Sequence, residues 1–94
     1  MTRRAARVDA NQVEIVAALR AAGASVQHLH RVGEDCPDLL VGYRAKNYVI
    51  EIKMPKSSLE PGQRRWMESW RGQACVAHSP EEALRSIGAI PGLT

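Results

Sequence analysis

Phenylalanine is absent from these 94 residues, and only two Trp and two Tyr occur. A core must therefore be assembled from Val, Leu, Ile, Ala and Met. Cysteine is scarce too. Cys36 and Cys75 stand far apart, which excludes the disulfide framework of a small secreted domain. No apolar run is long enough to span a bilayer. The Arg-rich start, Met1 to Arg7, is not followed by the apolar segment that a signal peptide needs. Repeats, low-complexity tracts and linkers are missing as well. These absences predict one domain over residues 1–94, cytoplasmic, with reduced thiols and no membrane partner.

What is present is an ordinary globular balance, 45% hydrophobic and 24% charged, which excludes a disordered chain. Thirteen Lys and Arg against ten Asp and Glu leave a net charge of +3. So mild an excess permits phosphate binding without demanding it, and the placement of the charges has to decide.

The pattern predicts the order helix, three strands, helix, strand, helix. Asp9 is placed to cap the first helix, with Gln12 completing a capping box and Val8 and Val13 forming a hydrophobic staple. The apolar run Val13, Ile15, Val16, Leu19, Ala22 continues to Gly23, a natural stop. Ala24 to Val32 reads as a strand. Asp38 to Arg44 and Asn47 to Met54 read as a hairpin turning at Ala45-Lys46, ended by Pro55. Pro61 opens a second helix reaching about Arg71. Ala74 to Ala77 is a short strand, and Ser79-Pro80-Glu81-Glu82 starts a last helix with its stripe at Ala83, Leu84 and Ile87. The tail from Ala89 is expected to be loosely held. This order is an α/β fold with helices flanking a central sheet.

The chemistry concentrates on the second hairpin strand. By alternation, Tyr48, Ile50, Ile52 and Met54 line one face, while Glu51 and Lys53 project from the other. A turn at Ala45-Lys46 sets Asp38 opposite Lys53 and Leu40 opposite Glu51, so Asp38, Glu51 and Lys53 share one patch. Two carboxylates side by side repel unless a cation sits between them, and hard oxygen ligands suit Mg²⁺. A lysine beside them can neutralise charge developing on a phosphate or position the attacking water. These parts describe metal-assisted phosphodiester hydrolysis. On the second helix Gln63 heads the stripe Trp66, Met67, Trp70, and is drawn toward the sheet with it.

Cys36-Pro37-Asp38 followed by Glu51-Ile52-Lys53 resembles the PD-(D/E)XK nuclease signature. Gln63-Arg64-Arg65-Trp66 resembles the Q-x-x-W helix of the virus-type replication-repair nuclease (VRR-NUC) family. The resemblance spans nearly the whole chain and implies a restriction-endonuclease-like αβββαβ core with a mixed central sheet. It implies that Asp38, Glu51 and the backbone carbonyl of Ile52 ligate Mg²⁺ or Mn²⁺. Lys53 would be the catalytic lysine, Gln63 the helix glutamine, and Glu14 a further acid from the first helix. Stand-alone members of this size resemble phage-encoded homodimers acting on branched DNA such as four-way (Holliday) junctions, in bacterial or phage-infected cells.

Other residues admit plainer readings. Trp66 and Trp70 could stack on bases, but their spacing with Met67 favours the core. Lys56, Arg64 and Arg65 lie nearest the site and are candidates for phosphate contact. Arg3, Arg4 and Arg7 could form a basic arm. His28 and His30, on one strand face, could line a DNA surface. The histidines and cysteines lack the paired spacing of a zinc site, and Cys75 reads as a small core residue. The main alternative to an enzyme is a DNA-binding module on the same fold that does not cut. A small interaction protein, or action on RNA, also stays open.

Overall fold

The computed structural model describes residues 10–92. Seven elements follow one another as α1 (Ala10–Ala21), β1 (Ser25–His28), β2 (Leu39–Tyr43), β3 (Lys46–Ile52), α2 (Pro61–Ser69), β4 (Ala74–Ala77) and α3 (Pro80–Ser86). The strands form one sheet in the order β1-β2-β3-β4. The first three are antiparallel neighbours and β4 joins β3 in parallel, so the sheet is mixed and the expected α/β architecture holds. Among the described residues no helix is long and apolar enough to cross a membrane.

One face of the sheet is closed. Ile15, Val16 and Leu19 of α1 and Ala83 and Ile87 at α3 pack with Leu39, Val41, Tyr48, Ile50 and Ala77 into a single core. Leu84 and Cys75 pack against it half-buried. Gly23 (φ +99°) ends α1 in the left-handed conformation that glycine adopts without strain. At α3 the Ser79 hydroxyl accepts the Glu82 N–H at 3.1 Å, with Pro80 at the first helical position, as the sequence indicated.

Several local expectations change. Strand β1 is shorter than predicted, because after His28 the chain turns: Leu29 N–H donates to the Asp38 carbonyl and Val32 N–H to that of Leu29. The hairpin turns one residue early, at Arg44 and Ala45, both with positive φ (52° and 67°), the pair of values that matches strand twist. No Asn-Gly or Gly marks it, so the sequence did not betray it. Lys46 is accordingly a strand residue. Val13 is exposed rather than part of the apolar stripe, and Met54, beyond the end of β3, is exposed too. Ala89 packs on the core and donates its N–H to Leu84, so the tail is held further along than expected. Val8, Asp9 and the Arg3, Arg4, Arg7 arm lie outside the described residues.

Candidate active site

The second face of the sheet carries the candidate site. The turn at Arg44-Ala45 pairs Leu39 with Ile50 and Leu40 with Val49. One step further, Asp38 falls beside Glu51, not beside Lys53 as the later turn would have had it. The shift is two residues in register, so parity is kept and the acids stay on one face. The Asp38 carboxylate then takes the place of a ladder carbonyl: its Oδ2 accepts the Ile52 N–H at 2.8 Å. Pro37, fully buried, holds this end of β2 in place.

Glu51 is 5% exposed, an expensive position for a carboxylate. Burial first, then the negative charge of Asp38, push its pKa up from 4.5 to about 7; Lys53 opposes this, and Asp35 adds to it. Lys53 brings its ammonium to 4.0 Å from Glu51 Oε2. Gln63, from the first turn of α2, donates Nε2–H to Glu51 Oε2 at 3.1 Å. Its Oε1 accepts the Glu60 N–H at 2.9 Å, so the residue that caps the helix also grips the acid. The four residues singled out by the sequence therefore meet. The neighbouring Cys36 thiol has its pKa raised by burial and then by Glu51 and Asp38, which keeps it a neutral neighbour of the acids.

The donor set suits a hard divalent cation. Two carboxylates face one ammonium, and burial first, with the charge of Asp38 second, lifts the Glu51 pKa. In a strand a residue's N–H and C=O project to the same side. Ile52, whose N–H reaches Asp38, thus directs its carbonyl toward Asp38 as well. Among the described residues no three His, Cys, Asp or Glu side chains converge into a closed cage, so a cation here would complete its shell with water and substrate oxygens.

Other expected residues sit elsewhere. Glu14 is exposed on α1 and is not among the charges acting on Glu51. Lys56, Arg64 and Arg65 are exposed, the first on the loop after β3 and the others on α2. His28 faces α1, where Gln12 Nε2 lies 3.3 Å from its Nδ1, and His30 leaves the strand for the following turn. The two rings meet edge to face, with His28 turned to α1. Trp66 and Trp70 are not core residues: they stack on each other over the second face, and Trp70 is 49% exposed. With nine residues and no buried side chain, α2 is too small to seal that face.

Two positions escaped the sequence. Asn11 donates its side-chain N–H to the carbonyls of Lys53 (2.9 Å) and His78 (3.3 Å), tying α1 to the ends of β3 and β4. Asp35 sits in three successive left-handed residues, Gly33 to Asp35, and lays its carboxylate against Gly62 of α2, where any Cβ would collide with it. A polar residue in a first helical turn and an acid in a turn are too common to stand out.

The sequence matches no protein-family model and no curated protein. A solved structure described as "VRR_NUC domain" superimposes with a TM-score of 0.67 at 26% identity, covering 81% of this chain and 88% of that one. The chain has the VRR-NUC fold.

Proposed function

We propose that this chain of VRR-NUC fold is a metal-dependent DNA nuclease, a homodimer that hydrolyses phosphodiester bonds in branched DNA such as four-way junctions. The observation that carries the reading is the buried meeting of Asp38, Glu51, Lys53 and Gln63 on one sheet face. A salt-bridged strand pair would not require a second acid beside the first, 5% exposed and ionised only against burial and the field of its neighbour.

Asp38, Glu51 and the Ile52 carbonyl would hold Mg²⁺ or Mn²⁺. The bound cation supplies Lewis acidity toward the phosphate and makes water a better nucleophile at neutral pH. The protein's own part is placement and charge. Gln63 holds Glu51 in one orientation, leaving its other oxygen for the cation. Lys53, mostly buried at the patch edge, faces the negative charge that builds on the phosphate as water attacks in line. Lys56, Arg64 and Arg65 are exposed nearby and would contact flanking phosphates, adding affinity that salt screens. Cleavage then leaves a 5′-phosphate and a 3′-hydroxyl.

The test is cleavage of labelled four-way junction, flap, single-stranded and linear duplex DNA in Mg²⁺, Mn²⁺ or EDTA. Lys53→Ala should lower the rate about 10²–10³-fold, the usual cost of removing one preorganised charge-stabilising group. Paired symmetric nicks in the junction would fit a dimer. DNA binding with no cleavage under any metal condition would reject the nuclease and leave a binding module.

A further inference from the structure

The aromatic pair at the C-terminal end of α2, Trp66 within it and Trp70 as its cap, belongs neither to the core nor to the acidic cluster. Trp66 and Trp70 stack with centroids 4.5 Å apart and planes 14° from parallel. The Trp70 ring lies low over Gly72, where an added Cβ would come within 2.9 Å of its Nε1. This leaves the indole as one wall of a cavity of about 200 Å³, floored by Leu40 and Val49 and edged by Asn47 and Gln73. A second groove of about 300 Å³ continues it over β1 and β2, sharing Leu40 and Asn47. Leu40, at 38% exposed, is open to it. Asn47 is exposed at the rim, with its side-chain oxygen lying toward Gly42.

The position of this groove narrows what can enter it. Leu40 and Val49 are a direct cross-strand pair, two residues along the same face from Asp38 and Glu51, or about 7 Å at the rise of a strand. The opposite face is closed by α1 and α3. With that face closed, the open face is the one left for a phosphate reaching Asp38 and Glu51, and a strand that runs from there along β2 and β3 toward Leu40 and Val49 passes the groove. There a base turned out of its stack meets an indole, an aliphatic floor and a polar rim in which Gln73 Nε2 donates to the Asn47 carbonyl at 2.7 Å. Base–aromatic stacking of this kind tolerates any sequence, since every base has a π-face.

We infer that the groove between Trp70 and the Leu40–Val49 pair holds an unstacked nucleobase of the DNA strand next to the scissile phosphate. The inference rests on DNA being the substrate proposed above. It gives a physical cause for selectivity toward branched, frayed or single-stranded DNA: a paired base must first leave its stack, at a cost that an unpaired one avoids.

The full chain, in EDTA so that nothing is cut, is titrated with a short fluorescein-labelled single strand and with a blunt duplex. The single strand should quench tryptophan fluorescence. Trp70→Leu, which keeps an apolar side chain, should bind it about tenfold more weakly while duplex binding changes far less. Leu40→Asn, at an exposed floor position, should weaken it in the same sense and serves if the first variant does not fold. Unchanged single-strand affinity in the variants, or no quenching in the wild type, overturns the inference. So does sedimentation showing that Trp70→Leu splits a dimer, because the groove is then a contact between copies. Wild-type cleavage with metal is scored separately. Its absence beside intact strand binding defeats the nuclease and spares the groove, whereas cleavage with unchanged Trp70→Leu binding does the reverse.

Discussion

The two faces of the sheet are built from the same strands and differ in almost everything else. On one, Leu39, Val41, Tyr48 and Ile50 interdigitate with α1 and α3 and exclude water. On the other, Leu40, Val49 and Glu51 face a nine-residue helix without a buried side chain. Val49 is buried yet stands outside the core cluster. Adjacent residues of β3 thus serve opposite ends: Ile50 supplies stability, and Glu51 draws on it, since a carboxylate held at 5% exposure disfavours folding once ionised. A closed apolar face lets a small domain carry an open face that holds a buried acid.

Substitutions can break this division. The largest effect on folding should come from Ile50→Ala, about 2–5 kcal/mol by denaturant unfolding, from lost transfer energy and the cavity left behind. Val49→Ala, one residue away on the other face, should cost roughly 1.5 kcal/mol, at about 0.8 kcal/mol per buried methylene. Equal costs would mean that α2 seals its face as tightly as α1 and α3 seal theirs.

A smaller effect has the opposite sign. Glu51 has its pKa raised to about 7 in the folded protein against 4.5 ordinarily. At low pH it is neutral in both states and costs nothing. As pH climbs from 4.5 to about 7 the unfolded chain releases its proton first, and stability falls. Glu51→Gln should therefore stabilise the metal-free protein at pH 8 by about 1–3 kcal/mol, and much less at pH 5. Thermal unfolding at the two pH values in EDTA checks this. A destabilised variant at pH 8 would mean that Lys53 and Gln63 outweigh burial and Asp38. The same substitution should abolish cation binding.

The smallest change expected is in Gln63→Ala, about tenfold in cleavage rate. It removes one hydrogen bond to a charged acceptor, worth about 1.5 kcal/mol, and leaves the ligands themselves in place. A loss as large as that of Lys53→Ala would give Gln63 a direct part at the phosphate.

Much of this was legible in the residues. The order of elements followed from caps, prolines and period, because Ser79-Pro80 and Gly23 act locally. The meeting of Asp38, Glu51 and Lys53 on one face followed from parity alone, which is why it survived an error of two residues in register. The turn at Arg44-Ala45 was not legible, because non-glycine residues there adopt positive φ under the pull of the strands they join. Trp66 and Trp70 were misplaced for a related reason. Spacing puts them on one side of a helix, but whether that side is buried depends on what the sheet offers beneath it.

The sequence by itself determined the seven elements, the alternation that separates Ile50 from Glu51, and the identity of the candidate site residues, since each depends on neighbours a few residues away. Only the tertiary structure decided the rest. It set Asp38 against the Ile52 N–H, raised the pKa of Glu51, let Gln63 of α2 and Asn11 of α1 reach β3, and left Trp70 half in water. Those features depend on distances between segments far apart in the chain, and packing alone fixes such distances.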